Sequence, residues 1–113
     1  MGSSINAYQY DEDKGTLELL QNISTLPEDY TGQSISAAIK ILPDSNYLYT
    51  SNRGHDSVSL FKMDGENGKL TFVSRHSTGG SMPRDFEFDP AGNFLIATNQ
   101  DSDNIVVFKV NRE

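Results

Sequence analysis

Along this chain apolar and polar residues alternate in short bursts, and each burst is cut off by Gly, Asn, Asp or Pro. A two-residue period belongs to strands with one buried face, and turn formers between bursts return the chain as hairpins. No stretch keeps a helical period beyond a turn or two. An all-β chain is predicted.

The bursts also repeat. Moving the chain by 47 positions lays IKILPDSNYLYTSNRGHDSVSLFKMDGE from Ile39 over FEFDPAGNFLIATNQDSDNIVVFKVNRE from Phe86 without a gap. Pro43 then meets Pro90, Asn46 meets Asn93, Leu48 meets Leu95, Asn52 meets Asn99, Asp56 meets Asp103 and Phe61 meets Phe108. A partial copy lies upstream at a shift of 53, where INAYQYDEDKGTLELL from Ile5 matches VSLFKMDGENGKLTFV from Val58. The loop around Leu26 to Gly32 absorbs the difference.

Each full repeat carries four predicted strands. In the complete copy, strand a runs near Ala37 to Leu42, b near Tyr47 to Ser51, c near Val58 to Met63 and d near Leu70 to His76, with turns at Pro43 to Asn46 and Asp64 to Gly68. Four antiparallel strands in roughly 45 residues are the size of one propeller blade. The chain thus reads as strands c and d of one blade with an inter-blade loop (1–35), a complete blade (36–80) and a blade lacking its outer strand (81–113). The predicted fold is a partial β-propeller of about two and a third four-stranded antiparallel blades, forming one domain. A blade buries its faces only against its neighbours, so a piece cut from a longer propeller is expected. The apolar edge at Ile105 to Val110 is left without a partner strand, and self-association through such open edges is expected.

Charge and composition narrow the partners. The formal net charge is −7 with no cluster of Lys or Arg, which argues against nucleic acid and anionic membrane as partners. Without Cys there is no disulfide framework and no thiolate metal site, and a reducing compartment, the cytoplasm, is expected. Met1-Gly2-Ser3-Ser4 opens no signal peptide, and no apolar run is long enough to span a bilayer. The acidic phrases DEDKG at Asp11 and DSDN at Asp101 lack the Gly and Glu of a calcium loop and read as turns. No metal or cofactor is expected.

Three phrases carry a family resemblance: STLPEDYTGQSISAAI from Ser24, LPDSNYLYTSNRGHDSVSLF from Leu42 and GGSMPRDFEFDPAGNFLIATNQDSDNIVVFKV from Gly79. They resemble the last repeats of the seven-bladed propeller lactonases, which include bacterial 6-phosphogluconolactonases and fungal carboxymuconate-lactonizing enzymes. The resemblance implies hydrolysis of 6-phosphoglucono-lactone to 6-phosphogluconate in the pentose phosphate pathway, by an enzyme of which this chain is a C-terminal fragment, inactive alone. The alternative is a non-catalytic scaffold of the same family. The family site is a cluster of Arg, His and Glu at one mouth of the channel. Its Arg after Ser-Asn falls on Arg53, while its His and Glu positions precede this chain, and His55 and His76 do not match them.

Blade geometry is consistent with that placement, because the start of strand a and the end of strand b lie at one end of a sheet. Ser36, Asn52 and Arg53 are therefore expected at the same end as Arg84, Asn99 and Gln100. A sugar-phosphate lactone presents anionic oxygens that suit Arg and hydroxyls that suit Asn and Gln. Arg53 is the candidate catalytic residue, and Asn52, His55, Arg84, Asn99 and Gln100 are the candidate substrate-binding residues. Each has a structural alternative: a solvated loop for Arg53, loop packing for His55, a salt bridge for Arg84, and loop capping for Asn52 and Asn99.

Overall fold

The computed structural model describes residues 2–112. Among these residues, three antiparallel sheets follow one another along the chain. The first pairs β1 (Ser4–Asp11) with β2 (Thr16–Ser24). The second holds β3 (Ile35–Ile41), β4 (Tyr47–Arg53), β5 (Ser57–Met63) and β6 (Leu70–Ser77) in that order. The third holds β7 (Pro83–Phe88), β8 (Phe94–Asn99) and β9 (Asn104–Lys109). This is the all-β partial propeller that the repeat predicts. Strand a starts two residues earlier than read from the sequence, because Ile35 and Ser36 pair with Arg53 and Asn52 beyond an irregularity in the ladder.

The repeat reaches down to those irregularities. The register shifts between Ala7 and Tyr8 in the first sheet and between Leu60 and Phe61 in the second, which are equivalent positions. Both inner hairpins shift likewise, after Ser36 and after Pro83. Bulges of this kind bend a strand and increase its twist.

The middle sheet is covered on both faces. On one side Phe61, Leu48 and Leu70 meet Ile5 of β1, with Ile23 and Met63 at the margin. On the other, Leu42 and Val58 meet Phe86, Phe88, Leu95 and Ala97 of the third sheet. Tyr49 stands edge-on to Phe88 with ring centroids 5.0 Å apart. Polar side chains also cross the gaps: Gln21 donates to the Leu70 carbonyl (2.9 Å) and accepts from the Leu70 N–H (2.7 Å), as a backbone neighbour would. Lys40 and Glu87 form an ion pair at 3.0 Å between β3 and β7.

The outer faces of the two end sheets carry the same apolar pattern uncovered. Tyr8, Tyr10, Leu17 and Leu19 are exposed on the first, and Phe94, Ile96, Ile105 and Val107 on the third.

Carboxylates close three hairpins. Asp11 accepts the N–H groups of Asp13 and Lys14, Asp64 those of Glu66 and Asn67, and Asp89 those of Asn93 and Phe94. The DEDKG phrase is thus a turn, as expected.

The Phe94 N–H, ahead of those of Asn93 and Ala91, holds the Asp89 carboxyl below its ordinary value of about 3.8. The ionised turn is then favoured in the folded state, so its contribution is complete above that value and is lost as pH falls through the lower, folded one. In urea titrations between roughly pH 5 and pH 3, wild type should lose more stability than Asp89→Asn, which has no proton to gain at this turn.

Candidate functional site

One polar latch recurs where a sheet hands over to the next. Thr25 follows β2 and is fully buried; its N–H and hydroxyl both donate to the Ser3 carbonyl, at 2.9 and 3.0 Å. Its own carbonyl accepts from three groups of the second sheet: Asn52 Nδ2 (3.1 Å), Ser59 Oγ (2.7 Å) and Arg75 Nε (3.1 Å). Thr78, after β6, repeats the arrangement. Its N–H and hydroxyl donate to the Asp56 carbonyl, and its carbonyl accepts from Asn99 Nδ2 at 3.0 Å.

Asn52 is the centre of the first latch and is fully buried. Its amide nitrogen also lies 3.2 Å from Ser57 Oγ and 3.1 Å from Ser59 Oγ, and its Oδ1 accepts from Ser36 Oγ at 3.3 Å. As placed, neither Asn52 nor Asn99 presents an atom to a ligand. Both side chains are engaged by the latch, a bond between sheets and not the capping of the loop after strand b expected as their structural alternative.

Arg53, the last residue of β4, pairs with Ile35. Next to it Gly54 has φ near 104°, and a side-chain carbon there would run into the Gln33 carbonyl. Only Gly fits that close approach. Asp56 closes the loop in the left-handed region (φ 59°), with Oδ1 accepting from the N–H of Gly54 (3.2 Å) and of Met82 (2.8 Å). The Arg53 loop is thereby tied to the start of β7. Arg53 itself is half-buried, and its Nε is enclosed without an acceptor among the described residues. Its guanidinium is free to meet a ligand oxygen.

His55 is half-buried, with Nδ1 2.8 Å from Ser57 Oγ and its ring edge-on to Tyr30 at 4.8 Å. Tyr30 is held in turn by its hydroxyl, which donates to the Gln33 carbonyl at 2.9 Å. Arg84 and Gln100 are exposed at the same end of the third sheet, Nη1 to Oε1 3.4 Å apart. Arg84 makes no salt bridge among the described residues; Asp85, beside it, accepts instead from the Phe86 N–H. His76 is exposed on β6 and bonds Ser74.

The structure thus gathers Arg53 and His55 on one braced loop and sets Arg84 and Gln100 at the matching end of the next sheet. Thr25, Thr78 and Tyr30 were not picked out from the sequence, although Ser24-Thr25 and Ser77-Thr78 are a repeated pair at the shift of 53. Among the described residues no group of His, Cys, Asp and Glu is arranged to hold a metal ion, and no helix is long and apolar enough to cross a membrane.

Successive antiparallel sheets of up to four strands, packed face to face and latched one to the next, are the blades of a β-propeller. The chain belongs to the family described as Lactonase, 7-bladed beta-propeller, which matches residues 1–113. It is 38 % identical over 89 residues to the 6-phosphogluconolactonase of Bacillus subtilis (strain 168), covering 79 % of this chain and 26 % of that protein. A crystal structure of a Lactobacillus plantarum protein superposes with a TM-score of 0.94 at 35 % identity, over 98 % of this chain and 32 % of that one. The periplasmic gluconolactonase of Pseudomonas aeruginosa superposes with a TM-score of 0.91 at 32 % identity, over 97 % and 30 %. The chain therefore spans about a quarter of the length of the curated relatives it matches.

The two latches differ in completeness. Among the described residues Asn99 Oδ1 has no donor, because Pro83 stands where Ser36 stands in the second sheet; on the amide-nitrogen side Asn104 and Val106 replace Ser57 and Ser59. Asn52→Ala should therefore cost about 2–4 kcal/mol, and Asn99→Ala only about 1 kcal/mol. Equal losses in urea unfolding of the two variants would contradict this account of the latch.

Proposed function

We propose that the full-length protein hydrolyses 6-phosphoglucono-lactone to 6-phosphogluconate, within the pentose phosphate pathway, and that Arg53 carries part of the chemistry. The observation that supports this reading is the uncommitted Arg53 guanidinium on a braced loop, within a chain matched throughout to a lactonase family. A relative bearing the name 6-phosphogluconolactonase adds to it.

In lactone hydrolysis water adds to the ring carbonyl, the carbonyl oxygen gathers negative charge, and the ring C–O bond then breaks to give carboxylate and hydroxyl. Donors fixed where that charge develops lower the barrier. The Arg53 fork is suited to the developing oxyanion or to the phosphate, since it stays charged and donates along two parallel directions. Arg84 and Gln100 are proposed to contact substrate hydroxyls or phosphate from the third sheet. The base that activates water is proposed to come from outside this chain, which alone is expected to leave the lactone at its spontaneous rate. The cytoplasm is proposed as the compartment, on the absence of Cys.

In the full-length protein, Arg53→Ala should lower lactonase activity by at least about tenfold. Arg53→Lys should recover little of it, because a point charge does not replace a fork. Near-wild-type rates for both folded variants would move Arg53 to the solvated-loop alternative, and a folded wild type without turnover would favour a scaffold.

The chain on its own is also proposed to self-associate. The two exposed apolar faces are equivalents of faces that meet inside the molecule, so one copy can dock the first sheet of another against its third. Light scattering at micromolar concentration should show oligomers or larger species. A compact monomer of about 12.5 kDa would exclude this docking.

A further inference from the structure

Ser57 is buried, and its hydroxyl oxygen has two hydrogen-bonding neighbours, Asn52 Nδ2 at 3.2 Å and His55 Nδ1 at 2.8 Å. The Asn52 amide is oriented by the Thr25 carbonyl, which can only accept, so its nitrogen, whose two N–H groups serve Thr25, Ser57 and Ser59, can donate to Ser57 but cannot accept from it. The Ser57 proton then has one destination, the lone pair of His55 Nδ1. A proton on Nδ1 instead would leave a buried hydroxyl with nothing to donate to, and buried donors are rarely left so. Neutral imidazole carries one ring proton, which must therefore sit on Nε2.

Nε2 has no protein partner among the described residues and is not sealed from solvent. The ring cannot swing freely, since Tyr30 is packed edge-on against it and is itself tied to Gln33. His55 is thus a rigid N–H on the same loop as Arg53.

We propose that the Asn52–Ser57 relay fixes His55 as its Nε2–H tautomer, and that this N–H binds an anionic oxygen of the ligand at the Arg53 site. The inference rests on the proposed site and deepens it. His55 is a binding donor there and not the base, because its Nδ1 lone pair is engaged and its Nε2 is already protonated. Ser57 and Asn52 are positioning residues that act through it. The anionic oxygen belongs either to a phosphate or to a sugar-acid carboxylate.

The test has two readouts on the full-length protein. Long-range proton–nitrogen NMR should show His55 with a protonated Nε2 and an accepting Nδ1, favoured by about tenfold or more. Ser57→Ala should abolish that bias, with the exposed His76 as an internal reference. A protonated Nδ1 in wild type, or an unchanged tautomer in Ser57→Ala, overturns the relay.

Calorimetry then measures binding of 6-phosphogluconate and of gluconate, which needs no turnover and so stands apart from the proposed activity. His55→Asn, whose amide falls near Nδ1, should weaken binding by about tenfold. His55→Gln, whose amide reaches toward Nε2, should recover most of it. A loss confined to 6-phosphogluconate assigns the contact to phosphate, and a loss with both ligands assigns it to the carboxylate. Unchanged affinity for both ligands in His55→Asn overturns the proposal.

Discussion

The carbonyl of a threonine at the end of one sheet, held by a buried asparagine of the next, is the contact on which this structure turns. A propeller sheet has no core of its own, and its faces are buried only when its neighbours lie at the right distance and tilt. Apolar packing supplies most of the driving force but little direction. The latch supplies the direction. Thr25 and Thr78 each give two donors backward, to Ser3 and Asp56, and one acceptor forward, to Asn52 and Asn99. Each strand end is thereby fixed to the loop behind it and to the sheet ahead of it.

That geometry explains where the candidate site sits. Arg53 lies between Asn52, immobilised by the latch, and Gly54, pressed against Gln33. Its backbone has almost no freedom, while its guanidinium has donors to spare. A residue that must meet charge developing in a reaction needs this combination, because donors fixed beforehand do not have to reorganise during it. Asp56 extends the brace by accepting from Met82, which joins the loop that carries Arg53 to the strand that carries Arg84.

Much of the fold was legible in the sequence because it depends on spacing. The 47-residue repeat, the turn formers and the two-residue alternation survive without knowledge of neighbours, and they place all three sheets. The latch was only half legible. Asn52 and Asn99 stood out as a repeated pair, yet an asparagine after a strand suits loop capping, ligand contact or burial equally well on paper. Its threonine partner stands out less, because at the shift of 53 the Ser-Thr pair is cut off from the matched stretch by Gln21, Asn22 and Ile23, which face Ser74, Arg75 and His76. The clasp between Tyr30 and His55 was not legible at all: the two lie far apart in sequence, and their meeting depends on how the loop at 25–34 folds back.

Differences between the repeats carry as much information as their likeness. Where the second sheet has Ser36, Arg53, Ser57 and Ser59, the third has Pro83, Gln100, Asn104 and Val106. Two of these exchanges, Ser36 to Pro83 and Ser59 to Val106, remove a polar member beneath the loop, Asn104 turns instead to the Gly79 carbonyl, and Asn99 keeps a buried oxygen with no donor among the described residues. Buried polar networks stabilise a structure only when every member is satisfied, so a partly dismantled one is a cost with no folding benefit over an apolar replacement. The complete network lies under the loop that carries Arg53 and His55, and the reduced one under the loop that begins with Gln100. The fuller polar set braces the loop that is proposed to meet the ligand. The third sheet keeps only the latch bond that two adjoining sheets require.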